Sequence, residues 1–334
     1  MKVKAYAVNG PGENPQSFTY EKRLGRNDVL VKISHCAIAT GDVQMMSNAW
    51  GDSRYPLVAG HEIIGYIEKT GTNVSGLQIG DRVGVGYQLS ACFQCEFCRA
   101  GNEQFCSRQT VVGVHEYGGL ANHIIVDHRF AFKIPKSLES ASSAPLLSSG
   151  LTVYSAITRA ALPAHSNTAV LGIGGLGHLA IQFLHKMGHK VSAFSHNASK
   201  RELIEHLGGE FIDISNHRSP STNTKFDFIL STINAKLDLN EYLRMLKPQG
   251  KFCFVAQPAD GVTLNAGLLY DYAQRTVYGN YTGSRKDMAR MLKFSATHGV
   301  AAIAEVLPFS EMTHAIDMLK SGKIPMRLVL ENNE

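Results

Sequence analysis

The sequence predicts an α/β chain of two domains, one β-rich and one carrying a doubly wound parallel sheet. Three observations lead there. The first 150 residues read as short strands broken by glycine turns, and a strand–helix alternation begins after Ala144. A glycine turn, Gly172-x-Gly174-Gly175-Leu176-Gly177, follows the first strand of that alternation. At 334 residues the chain has length enough for two cores of ordinary size.

The elements follow in order. The opening MKVKAYAVNG alternates like an edge strand and lacks the apolar centre of a secretory leader. Segments 29–34, 62–69, 82–87 and 123–126 alternate or run apolar between turn residues and are predicted strands. Gly60, Gly65, Gly71, Gly76 and Gly80 are expected at turns or close backbone approaches. Helical spacing then covers 151–161, followed by a strand at 168–171, a helix at 178–187, a strand at 190–194 and a helix at 199–207. Strands at 226–231 and 250–255 continue the alternation. The tail reads as a helix (286–298), a strand, a second helix (311–321) and a last strand at 327–330.

Composition narrows the partners. The formal charge of +5 is spread along the chain without a lysine/arginine block, which argues against nucleic acid and anionic membrane. No apolar stretch has the length of a bilayer span, so a soluble cytoplasmic protein with a small-molecule substrate is expected.

Two motifs carry chemistry. Cys92, Cys95, Cys98 and Cys106 place four of the six cysteines within fifteen residues. Four thiolates at such spacing suit a closed tetrahedral zinc site that is structural, with no position open to substrate. Paired disulfides are the alternative, disfavoured in a long chain without a leader. The glycine turn is expected to bind a dinucleotide. Gly172 would allow the tight turn, Gly174 the approach of a pyrophosphate, and Gly177 close helix–strand packing. At the end of the second strand an NAD site needs an acid for the ribose diol. This chain offers Ser195, His196 and Asn197, then Ser199, Lys200 and Arg201, donors and cations that suit a 2′-phosphate; NADP(H) is therefore expected. A solvated first helical turn is the other account of Lys200 and Arg201.

With these motifs the chain resembles the medium-chain, zinc-type alcohol dehydrogenase superfamily, and within it the cinnamyl alcohol dehydrogenase-like branch. The resemblance covers essentially the whole chain. It rests on Gly60-His61-Glu62-x2-Gly65-x5-Gly71-x2-Val74, the four-cysteine segment, Ala144-Pro145-Leu146-Leu147 before Gly150-Leu151-Thr152, the glycine turn, and Gly283-Ser284-Arg285-Lys286. It implies a GroES-like catalytic domain at 1–148 and 286–334, with a zinc lobe at about 88–110, around a Rossmann domain at 149–285. It also implies a homodimer built through the cofactor domains.

Such proteins carry a second, catalytic zinc on two cysteines and the histidine of the Gly-His-Glu motif. His61 matches that histidine, and Glu62 the neighbouring glutamate that can act as an alternate ligand. The cysteines are replaced. In the register set by Asp42, Ala39 stands at one ligand position, Gly41 replaces the hydroxyl that takes the substrate proton, and Gln44 replaces the relay histidine. Ser148-Ser149 stands where the other cysteine belongs. Alanine binds no metal and a neutral hydroxyl binds zinc poorly, so loss of the catalytic zinc is expected. A weak second site on His61, Glu62 and Cys36 is the competing expectation; Cys36 reads otherwise as a small buried hydrophobe.

Three functions fit this pattern. The first is an NADPH-dependent reductase of a conjugated carbonyl, alkene or iminium, with His61 oriented by Asp42 as proton donor and Ser148 and Thr152 as further contacts. The second is a zinc alcohol/aldehyde dehydrogenase with an atypical ligand set. The third is a non-catalytic NADPH sensor. Trp50 matches a substrate-pocket aromatic, with loop packing the other reading, and Arg327 an arginine on the cofactor pyrophosphate, with a surface salt bridge as its alternative. Cys253 and the Met45-Met46 pair read as packing.

Overall fold

Eleven residues, Asp28–Ile38, form the central strand of the first unit, because β-branched and apolar side chains recur at Val29, Val31, Ile33 and Ile38. In the computed structural model, which describes residues 1–215, 224–258, 260–322, 324 and 326–332, this strand belongs to a unit made of Met1–Ser148 and Ser284–Glu334. The second unit is Ser149–Gly283.

The sheet of the first unit runs Ala304–Pro308, Arg327–Glu331, Asp28–Ile38, Glu62–Thr70, Arg82–Val85, Ala131–Lys133, with His123–Asp127 also paired to Asp28–Ile38. Its pairings are antiparallel except the first, so one face packs a core of Val31, Ile33, Cys36, Ile63, Val83 and Leu328. Gly60, Gly76 and Gly80 take the positive φ expected of turn glycines. Gly65 instead marks a close approach: a Cβ there would lie 2.2 Å from the Lys32 carbonyl oxygen.

The second unit is a six-stranded parallel sheet in the order Glu210–Asp213, Lys190–Ser195, Asn167–Leu171, Phe226–Ser231, Leu246–Phe254, Thr276–Gly279. The chain leaves Asn167–Leu171 toward one side and returns on the other, which makes that strand the topological switch point. Phe194, Phe226, Leu243 and Phe252 are buried against the sheet.

Several elements depart from the expectations. Gln16–Glu21 pairs with Lys2–Ala7, although its polar residues hide the strand pattern. The strand expected at 82–87 stops at Val85, because Gln88–Ser90 pairs elsewhere, with Thr110–Val111. The helix expected at 199–207 is a 3-10 turn, Ala198–Lys200, followed by Arg201–His206. A short helix at Thr40–Met46 was not expected. The late boundary falls two residues before the expected one. Ser284 caps Arg285–His298: its hydroxyl accepts from the Asp287 amide at 3.2 Å, and the Asp287 carboxylate accepts from the Ser284 amide at 2.9 Å.

Candidate active site and metal centre

The cysteine lobe is assembled by a short turn of backbone. The Gln94 and Cys95 amides donate to the Cys92 sulfur at 3.4 and 3.3 Å, and the Cys92 amide donates to the Cys106 sulfur at 3.4 Å. Those donors hold the Cys92 thiol down at about 5, stabilising the thiolate a metal needs. All four sulfurs lie within 4.8 Å of one another, and Cys92 and Cys98 are 3.9 Å apart. Four thiolates around zinc at tetrahedral angles are separated by about 3.8 Å. The residues present therefore fit zinc. All six cysteines are free in this structure, and the Cys92 and Cys98 sulfurs stand well beyond disulfide-bond length.

The lobe is anchored through Phe93, which takes a positive φ of 56°. The Arg129 guanidinium sits 3.5 Å from its ring centroid and that of Arg285 5.4 Å away. Arg285 also pairs with the buried Glu103 at 3.2 Å. Nothing in the spacing of the cysteines announces this clamp.

His61 lies just before the strand Glu62–Thr70, and Asp42 projects from the helix Thr40–Met46. Asp42 is buried and saturated with donors. Its carboxylate accepts from the Ala39 amide at 2.9 Å, the Gly60 amide at 2.8 Å and His61 Nδ1 at 2.9 Å. A Cβ on Gly60 would lie 2.6 Å from the Cys36 sulfur, so only glycine lets this backbone reach Asp42. With Nδ1–H given to the carboxylate, Nε2 is the imidazole nitrogen left for other work. Burial alone would lower the His61 pKa, but the charge and hydrogen bond of Asp42 outweigh it and raise the pKa above 6.5. The same pair draws Asp42 below the ordinary carboxylate value against the effect of its burial. Tyr87 meets the His61 ring edge to face, with centroids 6.0 Å apart. Sequence reasoning missed Tyr87, because its segment carries no motif beyond alternation.

The expected weak second site is not brought together. Among the described residues, the four cysteines are the one cluster of three or more histidine, cysteine or acidic donors within metal-binding reach. Glu62 is fully buried in an ion pair with Arg327. Cys36 is sealed in the core, its thiol pushed well up by burial. Ala39 at the N-cap offers no donor. Arg327 forms a salt bridge, but a buried one, which corrects the surface alternative; it opens the strand Arg327–Glu331 with its guanidinium held at Glu62. Trp50 is 45% exposed, and Ser148 is half-buried at the end of a 3-10 turn, Ala144–Leu147.

In the second unit the glycine turn has a geometry that fits a dinucleotide. Gly172 has φ +84°, and a Cβ on Gly177 would fall 2.1 Å from the Gly172 carbonyl oxygen. A Cβ on Gly174 would meet nothing within 4 Å, so this is the open side where a pyrophosphate can lie against backbone. Gly175 and Leu176 complete the turn, and Gly177 opens the helix Gly177–Lys186. Lys200 is not a freely solvated residue. Its ammonium donates to the Ile173 carbonyl at 2.5 Å, which brings the cation to the glycine turn, and burial lowers its pKa. The buried Ser195 hydroxyl accepts from the Asn197 amide at 3.1 Å; His196 is exposed. Thr152 is buried in the helix Ser149–Ala160, and its hydroxyl donates to the Tyr281 carbonyl at 2.8 Å.

Known proteins match the chain along its length. The alcohol dehydrogenase GroES-like domain family matches residues 25–136, and the zinc-binding dehydrogenase family residues 175–297. The chain is 37% identical to aldehyde reductase AdhA of Synechocystis sp., over 99% of both chains. It is 33% identical to cinnamyl alcohol dehydrogenase 2 of Arabidopsis thaliana, over 99% of this chain and 91% of that one. Among solved structures, a cinnamyl alcohol dehydrogenase from Sorghum bicolor superimposes with a TM-score of 0.93 at 30% identity, covering 99% and 98% of the two chains. The CAD from Helicobacter pylori complexed with NADP(H) gives 0.90 at 28% identity, with the same coverage. The chain belongs to the medium-chain, zinc-type alcohol dehydrogenase superfamily, in its cinnamyl alcohol dehydrogenase-like branch, and is an alcohol dehydrogenase-like oxidoreductase.

Proposed function

We propose that the protein is an NADPH-dependent reductase of conjugated carbonyl, alkene or iminium substrates that holds one structural zinc and uses no catalytic zinc. The observation that carries this reading is the state of the donors around His61. Asp42 takes Nδ1, Arg327 takes Glu62, and Cys36 is sealed in the core, so a zinc there would have one imidazole and no thiolate. The family's catalytic zinc does not fit these residues. The four thiolates of the lobe do fit zinc, which would brace the loop without touching substrate.

NADPH, when bound, supplies a hydride. Lys200, Ser195, His196 and Asn197 would hold its 2′-phosphate and the Gly172–Gly177 turn its pyrophosphate, and an NADP(H)-bound relative of the same fold supports that choice. The substrate's own conjugation replaces the Lewis acid. As a C–H bond forms at the electron-poor carbon, the π pair moves to the oxygen or nitrogen end. For a carbonyl substrate, protonated His61 transfers the Nε2 proton to the oxygen, and Asp42 stabilises the imidazolium until then. His61 is reprotonated from water. An iminium is neutralised by the hydride alone.

Metal analysis of the purified protein, paired with NADPH oxidation on cinnamaldehyde and matching enones, tests the reading. One zinc per chain with turnover is the expected result. Two zincs, with activity lost on chelation, would establish the orthodox zinc mechanism instead. No oxidation across the panel would leave an NADPH-binding protein without this chemistry.

A further inference from the structure

Side chains from three segments tie back the carbonyls of the glycine turn. The Thr232 hydroxyl donates to the Gly172 carbonyl at 2.7 Å, the Lys200 ammonium to that of Ile173 at 2.5 Å, and His178 Nδ1 to that of Gly174 at 3.0 Å. A carbonyl only accepts, so His178 carries a proton on Nδ1. His178 stands four residues after Gly174, where a helical side chain folds back over the preceding turn, and it is fully buried. A trans peptide is a rigid plane whose N–H points opposite to its C=O. Holding the Gly174 oxygen against the imidazole therefore turns the Gly175 amide away from it. Lys200 does the same for the Gly174 amide through the Ile173 carbonyl. Among the described residues, the amides of Gly174, Gly175 and Leu176 have no protein acceptor.

From this we infer that His178 is a positioning residue for the cofactor pyrophosphate: it sets the Gly174–Gly175 peptide so that the amide meets phosphate oxygen. The inference rests on the glycine turn being the dinucleotide site proposed above. A glycine peptide at this place needs such a tether. Gly174 has no side chain, and a Cβ there would meet nothing within 4 Å, so packing does not fix the plane. The His178 amide also reaches the Gly174 oxygen, at 3.1 Å, but that is a bond of the helix end, where bonds fray. Without the imidazole this single bond leaves the peptide free to tilt and to turn its carbonyl, which a phosphate repels, toward the ligand. Being buried, His178 touches no phosphate itself and acts through the peptide.

Calorimetric titration of NADPH, NADH and 2′-AMP into the wild type, His178→Phe and His178→Asn tests this. Phenylalanine fills the space of the imidazole and has no donor. Asparagine offers a donor near the place of Nδ1 and leaves space unfilled. His178→Phe is expected to bind both dinucleotides about five- to tenfold more weakly, the value of one hydrogen bond. His178→Asn should stay within about twofold of the wild type even where its Tm falls, a rescue that a packing role would not give. 2′-AMP carries no pyrophosphate, so its affinity should be the same in both variants as in the wild type. Equal dinucleotide affinity in the wild type and His178→Phe would overturn the inference, and so would a parallel loss of 2′-AMP binding. Should His178→Phe not fold, His178→Leu takes its place with the same expectations. The wild type alone decides the cofactor reading. Tighter binding of NADH than of NADPH would refute the 2′-phosphate pocket, and the NADH ratio between variant and wild type would still decide His178. A wild type that binds neither dinucleotide would overturn both.

Discussion

The cysteine lobe and the surroundings of His61 both hold potential metal donors, and they use those donors differently. In the lobe, all four sulfurs converge and the backbone amides are aimed at them. Around His61 the donors are engaged with other partners, Asp42 with the imidazole and Glu62 with Arg327. A structural site fails as a unit if one thiolate goes. The His61 imidazole, by contrast, is oriented by a protein side chain, the Asp42 carboxylate.

The largest effect separating the two regions is expected from the lobe. Cys92→Ser should remove the bound zinc and destabilise the first unit by more than about 4 kcal/mol, as loss of a metal does. Zinc content and the thermal transition measure both. A variant that keeps a full equivalent of zinc would place the metal elsewhere and invert the comparison.

His61→Asn comes next and should act on rate alone. Removing the acid is expected to lower kcat by about 10²–10⁴-fold for a carbonyl substrate, with zinc content and NADPH binding intact. Loss of zinc along with activity would show His61 to be a ligand. The pH dependence has the matching sign. The acid works while protonated, so kcat should hold up to the raised His61 pKa, above 6.5, and fall as pH rises through it. The stability contributed by the His61 proton follows the same sense. It is fully present below about 6.5 and lost as pH rises through the folded-state value. Asp42, shifted down, contributes above about 3.9 and loses that contribution as pH falls through its own lowered value.

The smallest of these effects on folding lies in the glycine turn. Gly177→Ala drives a Cβ to 2.1 Å from the Gly172 carbonyl and should cost about 1–3 kcal/mol of stability. Gly174→Ala meets open space, so its stability should hold while NADPH affinity falls. Thermal scans and cofactor titration of the pair separate packing from recognition; equal loss of affinity through unfolding in both would deny Gly174 its place at the pyrophosphate.

Much of this was legible before any coordinates. The parallel sheet announces itself through buried strands such as 226–231, which match without error, and the glycine turn through three residues with three separate steric duties. The lobe is legible because its ligands are adjacent in sequence. What stayed hidden depends on long-range contact. Gln16–Glu21 is a strand only because Lys2–Ala7 pairs with it. Thr276–Gly279 is a strand because Leu246–Phe254 offers an edge. Glu62 and Arg327 are 265 residues apart, and no local pattern in either segment announces their pairing. Tyr87 reaches His61 from a separate segment.

The last strand also sets an order of events during synthesis. When residue 283 leaves the ribosome, the second unit has all six of its strands, Asn167–Leu171 through Thr276–Gly279. The first unit does not. Arg327–Glu331 has yet to be made, so His35–Ile38 lacks its partner on that side, and the Arg327–Glu62 pair has not formed. An unpaired strand edge disfavours burial. The unit whose chain is made first is thus the last to close.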